Sequence, residues 1–265
     1  MAEVTRFHRP RGYAGLASSS AQYEPLVARQ TGLSRALGSS LWDTFPALPW
    51  LCDPQIANHF FDDFNRFSKV ISTTGDGAWT LTAATSGTAV AGVLAGGVVT
   101  LDAGAATDGQ GPQIQLNGTS FIPAAGKHLW FECQLHSTFI TGDFFFGLAE
   151  TDATIFASSD MTTSNHIGFS SFTGDGILLA DANKATARVH TTAIKTLVAS
   201  TYTRLGFYVN GVTDITFWAD DAANATKYVT ANIPIVALTP SFGVHATGTD
   251  RAVLNVDWVR VAQLR

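Results

Sequence analysis

"LWFECQLH", residues Leu129 to His136, alternates without a break. Leu129, Phe131, Cys133 and Leu135 point one way; Trp130, Glu132, Gln134 and His136 point the other. A period of two marks a strand with one face on a core. Similar short runs lie on both sides, separated by turn residues. Upstream are "AWTLTA" from Ala78, "GVVTL" from Gly97 and "PQIQL" from Pro112. Downstream come "FFFGLA" from Phe144, "HIGFSS" from His166, "GILLA" from Gly176 and "ATARVH" from Ala185. "TRLGFYVN" from Thr203, "ITFWAD" from Ile215, "PSFGVHA" from Pro240 and "AVLNVDWVRVAQL" from Ala252 complete the series. About a dozen short strands with no long helical period predict an all-β, antiparallel two-sheet sandwich. Leu129, Phe131, Cys133, Leu135, Leu205, Phe207 and Val209 should face its core. In the last strand Leu254, Val256 and Trp258 share one parity, whereas Val259 and Val261 take the other. A bulge near Trp258, or burial on both sides, would reconcile them.

The chain has 265 residues, 46% of them hydrophobic and 14% charged. That composition fits a packed protein and not a disordered one. Two cysteines, Cys52 and Cys133, form no CxxC pair, so a zinc ribbon is excluded and free thiols are expected. The N-terminal "MAEVTRFHRPRGYAG" lacks the apolar segment of a secretory signal. "AVAGVLAGGVV", from Ala89 to Val99, is too short and glycine-rich to span a bilayer. A soluble protein made in a cytoplasm is expected. The Asn-x-Thr matches at Asn117 and Asn224 then carry no glycosylation meaning.

Residues 1–55 read as an extended arm, and residues 56–265 as the sandwich domain. Residues 1–40 hold five Arg and two Glu, a net +3, against −8 for the remainder. A basic arm on an acidic body suits contact with an acidic surface. Spaced aromatics with little periodicity suit a segment lying on a neighbour. The candidate contact residues are Arg6, Arg9, Arg11, Tyr13, Tyr23, Arg29, Arg35, Trp42, Phe45 and Trp50.

Motifs for chemistry are sparse. "TGDG" at Thr74 and again at Thr173 reads as a hairpin turn before it reads as a calcium loop, because Asp-Gly fills tight turns and calcium wants several carboxylates. Only four Glu exist: Glu3, Glu24, Glu132 and Glu150. "ETDATI", Glu150 to Ile155, partly matches the Glu-x-Asp-x-x-Glu strand of laminarinase-type glucanases, but Ile155 replaces the second Glu. Glycoside hydrolysis in that manner needs both carboxylates. Seven scattered His form no metal pattern, and nucleophile-elbow, phosphate-loop and dinucleotide motifs are absent. The expectation is no enzyme, no cofactor and no metal. Trp130, Tyr208 and Trp218 could stack on sugar rings, though packing in the core or between subunits is the simpler reading.

The order of several motifs resembles concanavalin A-like (laminin-G/glucanase-type) jelly rolls, and more closely tailed-phage virion proteins built on them. The resemblance runs from about Phe60 to Arg265. It rests on "FFDDFN", "GPQIQLNGTSFIPAAGKHLWFECQLH", "FFFGLAETDATIF", "YTRLGFYVNG", "IPIVALTPSFGVHATG" and "LNVDWVRVAQLR". It implies a structural role on the capsid surface, with no catalytic residues to carry over. The expected partners are the major capsid protein and copies of the chain itself, with a trimer as the first expectation. Nucleic acid and membrane are not expected partners; glycans are the alternative, through a head-fibre or tail-adhesin role.

Overall fold

A computed structural model of the protein describes Leu41, Gln55, residues 57–65 and residues 71–265, the last with short internal omissions. In chain order the strands begin β1 (Ala57–Asp62), β2 (Ile71–Ser72), β3 (Trp79–Ala84), β4 (Thr88–Ala91), β5 (Val99–Asp102) and β6 (Gly111–Leu116). Next come β7 (Leu129–Phe139), β8 (Asp143–Ala149), β9 (Phe156–Ala157), β10 (Asp160–Met161), β11 (His166–Ser171) and β12 (Ile177–Lys184). The series ends with β13 (Ala187–Thr196), β14 (Thr203–Val209), β15 (Asp214–Ala219), β16 (Ala222–Ala223), β17 (Tyr228–Val229), β18 (Thr239–His245) and β19 (Val253–Leu264). The expected antiparallel sandwich is what these strands build.

One sheet has nine strands, ordered β16-β15-β14-β7-β19-β5-β4, with β17 on β15 and β1 on β19. The long β19 divides its second edge between two partners: β5 pairs with Val253–Val256, and β1 with Val259–Leu264. The other sheet has eight, ordered β13-β12-β11-β8-β18-β6-β3-β2. Its pairs are antiparallel except β2 with β3.

The alternation of "LWFECQLH" is realised as predicted. Leu129, Phe131, Cys133 and Leu135 are buried between the sheets with Leu205, Phe207 and Val209. Phe131 and Phe207 stack at 4.8 Å, and Phe207 and Phe169 both reach Phe217. Cys133 is a free thiol, and its burial, aided by Glu132, pushes its pKa upward. Cys52 lies outside the described residues.

The parity break in β19 is a bulge. Val256 pairs with Leu135 and Trp258 with Gln134, which makes Asp257 the extra residue. Leu254 and Val256 therefore face the core before it, and Val259 and Val261 face the core after it. The second "TGDG" is a turn between β11 and β12, with Gly174 and Gly176 at positive φ and Asp175 accepting the Ile177 N–H.

Candidate functional site

On the outer face of the eight-stranded sheet, β8 stops at Ala149, one residue before Glu150. "ETDATI" therefore leaves the sheet instead of extending it, and two glutamines of β6 hold it down. Gln115 Nε2 donates to the Glu150 carbonyl and its Oε1 accepts the Asp152 N–H. Gln113 does the same for the Asp152 carbonyl and the Ile155 N–H. These bonds satisfy backbone groups that the cover would otherwise bury unpaired. Ile155, Phe156 and Met161 then pack on Phe145 and Ala149. Phe156 occupies the space above Gly243, where a Cβ would stand 2.2 Å from its ring. The carboxylates of the motif serve local turns: Glu150 Oε2 accepts from the Asn165 side-chain amide and backbone N–H, and Asp152 Oδ1 from the Thr154 N–H.

Beside this cover lies a buried ionic group. Asp181 on β12 accepts from Ser170 Oγ at 2.7 Å and from Arg188 Nε and Nη2 at 2.9 and 2.7 Å, with His166 Nε2 at 3.0 Å. Burial alone would raise its pKa; His166 and Arg188 outweigh that and hold it well below the carboxylate range. Arg188 also pairs with Asp160 on β10, tying the cover to the sheet. Asp143, the cross-strand partner of His245, has the opposite character. It is fully buried, and neither oxygen has a hydrogen-bond partner in good geometry. Burial pushes its pKa to about 6; the Thr247 hydroxyl lowers it somewhat, and Asp108 and Asp160 raise it further.

The outer face of the nine-stranded sheet has two zones. At one end Trp130, Trp218 and Ala262 are buried under Leu41, with Tyr208 against them. Gly206 leaves the seat: a Cβ there would stand 2.5 Å from Leu41 Cδ2. Tyr208 Oη lies 2.6 Å from His128 Nδ1. In the middle, the buried Glu132 accepts from Arg260 Nε at 2.6 Å and faces Arg204 Nε at 3.5 Å. At the other end the bulge sets Asp257 and Trp258 together opposite Gln134. Gln134 Nε2 donates to Asp257 Oδ2 at 2.9 Å. His136, one pleat along, meets the Tyr202 ring edge-on at 4.7 Å. Tyr202 is 43% exposed and Phe61, opposite Arg260, 60%.

The arm residues Arg6, Arg9, Arg11, Tyr13, Tyr23, Arg29, Arg35, Trp42, Phe45 and Trp50 lie outside the described residues. Trp130 and Trp218 are packed as expected, though on an outer face under their own chain. The Asp181 group gives no signal in sequence, because its members sit on separate strands without common spacing. The Asp257–Trp258 pair does give one, the parity break in β19. Among the described residues, no group of three or more His, Cys, Asp or Glu is placed to hold a metal. No helix among them is long and apolar enough to cross a membrane.

No family model matches the chain, and no curated protein does. Its likeness to solved structures is one of fold. An endo-1,3-beta-glucanase from Streptomyces sioyaensis superposes with TM-score 0.53 at 14% identity, over 78% of this chain and 96% of that one. The lectin UEA-II complexed with galactose gives 0.53 at 12%, over 78% and 98%. Rv0315 of Mycobacterium tuberculosis, described as an immunostimulatory antigen and pseudo beta-1,3-glucanase, gives 0.50 at 14%, over 76% and 97%. The chain thus has the lectin- and glucanase-type jelly roll. The expectation that it is not an enzyme is corrected by these neighbours, since hydrolases share its scaffold. Ile155 removes one carboxylate of one motif; it does not bear on Asp143, Asp160 or Asp181.

Proposed function

We propose that the chain is a structural module of a tailed-phage virion, a head decoration protein attached through residues 1–55. The observation that supports this reading most is Leu41. It lies within the arm, yet it is buried on the nine-stranded sheet, so the arm has an anchor point on the body. The ten arm residues then supply the outward contacts. Arg6, Arg9, Arg11, Arg29 and Arg35 make charge-assisted hydrogen bonds, and Tyr13, Tyr23, Trp42, Phe45 and Trp50 give apolar anchors. Their partners are the major capsid protein and neighbouring copies in a homo-oligomer, with a trimer as first choice. The order of motifs from "FFDDFN" to "LNVDWVRVAQLR" supports the same reading.

Binding to phage heads assembled without the protein tests it. Deleting residues 1–40 keeps the Leu41 plug, so the body should stay folded while particle binding is lost. Changing Arg6, Arg9 and Arg11 together to Ala should weaken binding more at low salt than at high salt, because exposed charges are screened over roughly 8–10 Å. Full binding by the shortened chain that also survives changing Trp42, Phe45 and Trp50 to Ala would move the interface to the sandwich and end the tether reading.

A second reading, glycan binding by the sandwich, is favoured by the open zone around Tyr202 and Trp258. The galactose complex of the lectin neighbour supports it.

A further inference from the structure

We infer that the β19 bulge builds a carbohydrate-binding patch for neutral hexopyranosyl units on the outer face of the nine-stranded sheet. The inference rests on the glycan reading and gives it a location. A regular strand would send Asp257 and Trp258 to opposite faces. The bulge opposes both to Gln134, so a carboxylate and an indole emerge side by side. One flank holds Tyr202 and His136, the other Arg260 over the Trp258 ring at 5.4 Å and then Phe61. Trp258 is partly exposed and Tyr202 more so, which leaves aromatic surface for a ligand.

A hexopyranose has a C–H face that rests on an aromatic ring and a rim of hydroxyls that need acceptors and donors. The patch offers both. Gln134 holds one Asp257 oxygen and leaves the other to accept. Burial lowers the His136 pKa, so its imidazole is neutral at pH 7. Phosphate-bearing ligands fit poorly. Arg204 and Arg260 are both engaged with Glu132, and Asp63 adds negative charge near Asp257. A partner protein would need a broader apolar surface than one bounded by this ion-paired group. The open face gives a single sugar unit little burial, so affinity should be about millimolar.

Two neutral probes, laminarihexaose and lactose, titrated in saturation-transfer NMR against the full chain test the patch. Saturable binding of at least one, with Kd of about 1 mM, is expected. Trp258→Ala should weaken it about tenfold, and Asp257→Asn, which keeps shape and removes charge, several-fold. Tyr202→Ala, outside β19, covers the case in which Trp258→Ala fails to fold. Binding that survives all three substitutions would overturn this location while leaving the glycan reading standing. No saturable binding of either probe up to ~10 mM would overturn both.

Discussion

On the eight-stranded sheet, the chain leaving β8 folds back as Ile155, Phe156 and Met161 and covers the outer face. On the nine-stranded sheet, among the described residues, the distant Leu41 covers one end; at the other Tyr202 and Phe61 are exposed and Trp258 partly so. The first cover is fastened by buried polar groups, Gln113 and Gln115 to backbone and Arg188 to Asp160 and Asp181. The second is an apolar contact over a glycine. One fold thus gives its two outer faces different fates. A cover made of neighbouring sequence, tied by hydrogen bonds, becomes part of the domain. A cover made, among the described residues, by one leucine from a distant segment leaves Tyr202 and Phe61 exposed on the same face.

The largest effect should come from breaking the fastened cover. Arg188→Ala leaves Asp181 buried with His166 and Ser170 but without its guanidinium, and should destabilise the fold by about 3–5 kcal/mol. Urea unfolding measures this directly. A loss below ~1 kcal/mol would mean that the ionic group is peripheral and the two covers are held alike.

Leu41→Ala comes next. Removing a fully buried leucine side chain should cost about 2–5 kcal/mol. Emission from Trp130 and Trp218 should shift to the red as water reaches them. An unchanged stability and spectrum would show that Leu41 is not what covers this end.

How much of this was legible follows from which contacts have a period. Inward residues such as Phe131, Phe207 and Val209 could be read because packing against one core repeats every second residue. The bulge was legible for the same reason, since Val259 and Val261 break the parity that Leu254 and Val256 set. The outer faces were not. Gln113 and Gln115 alternate like solvent-facing positions, yet they hold a loop whose backbone needs partners. Ile155 was visible only as a missing glutamate, although its own role is to pack. Asp181, His166 and Arg188 meet through strand pairing, and no local pattern announces a contact set by register. Leu41 falls in a stretch with no sustained period, so its burial had no sequence signature.

The smallest effect separates burial with partners from burial without them. Asp181 and Asp143 are both fully buried on the eight-stranded sheet, but only Asp181 has an arginine. The folded-state pKa of Asp143, about 6, lies above its unfolded value of about 3.9. Between those values the folded chain holds a proton that the unfolded chain has released. Stability therefore rises as pH falls from about 6 to about 4, and the full penalty applies at neutral pH. The Asp181 carboxyl works in the opposite sense, because its pKa is held low in the fold. Its contribution is complete above about pH 4 and is lost as acid protonates it further down. The two together predict greatest stability near about pH 4. Asp143→Asn removes the upper limb alone. It should raise stability at pH 7 by about 1–3 kcal/mol and flatten the curve above pH 5 while leaving the acid limb in place. A loss of stability at pH 7 would show instead that the Asp143 carboxylate has a compensating partner and is not buried without one.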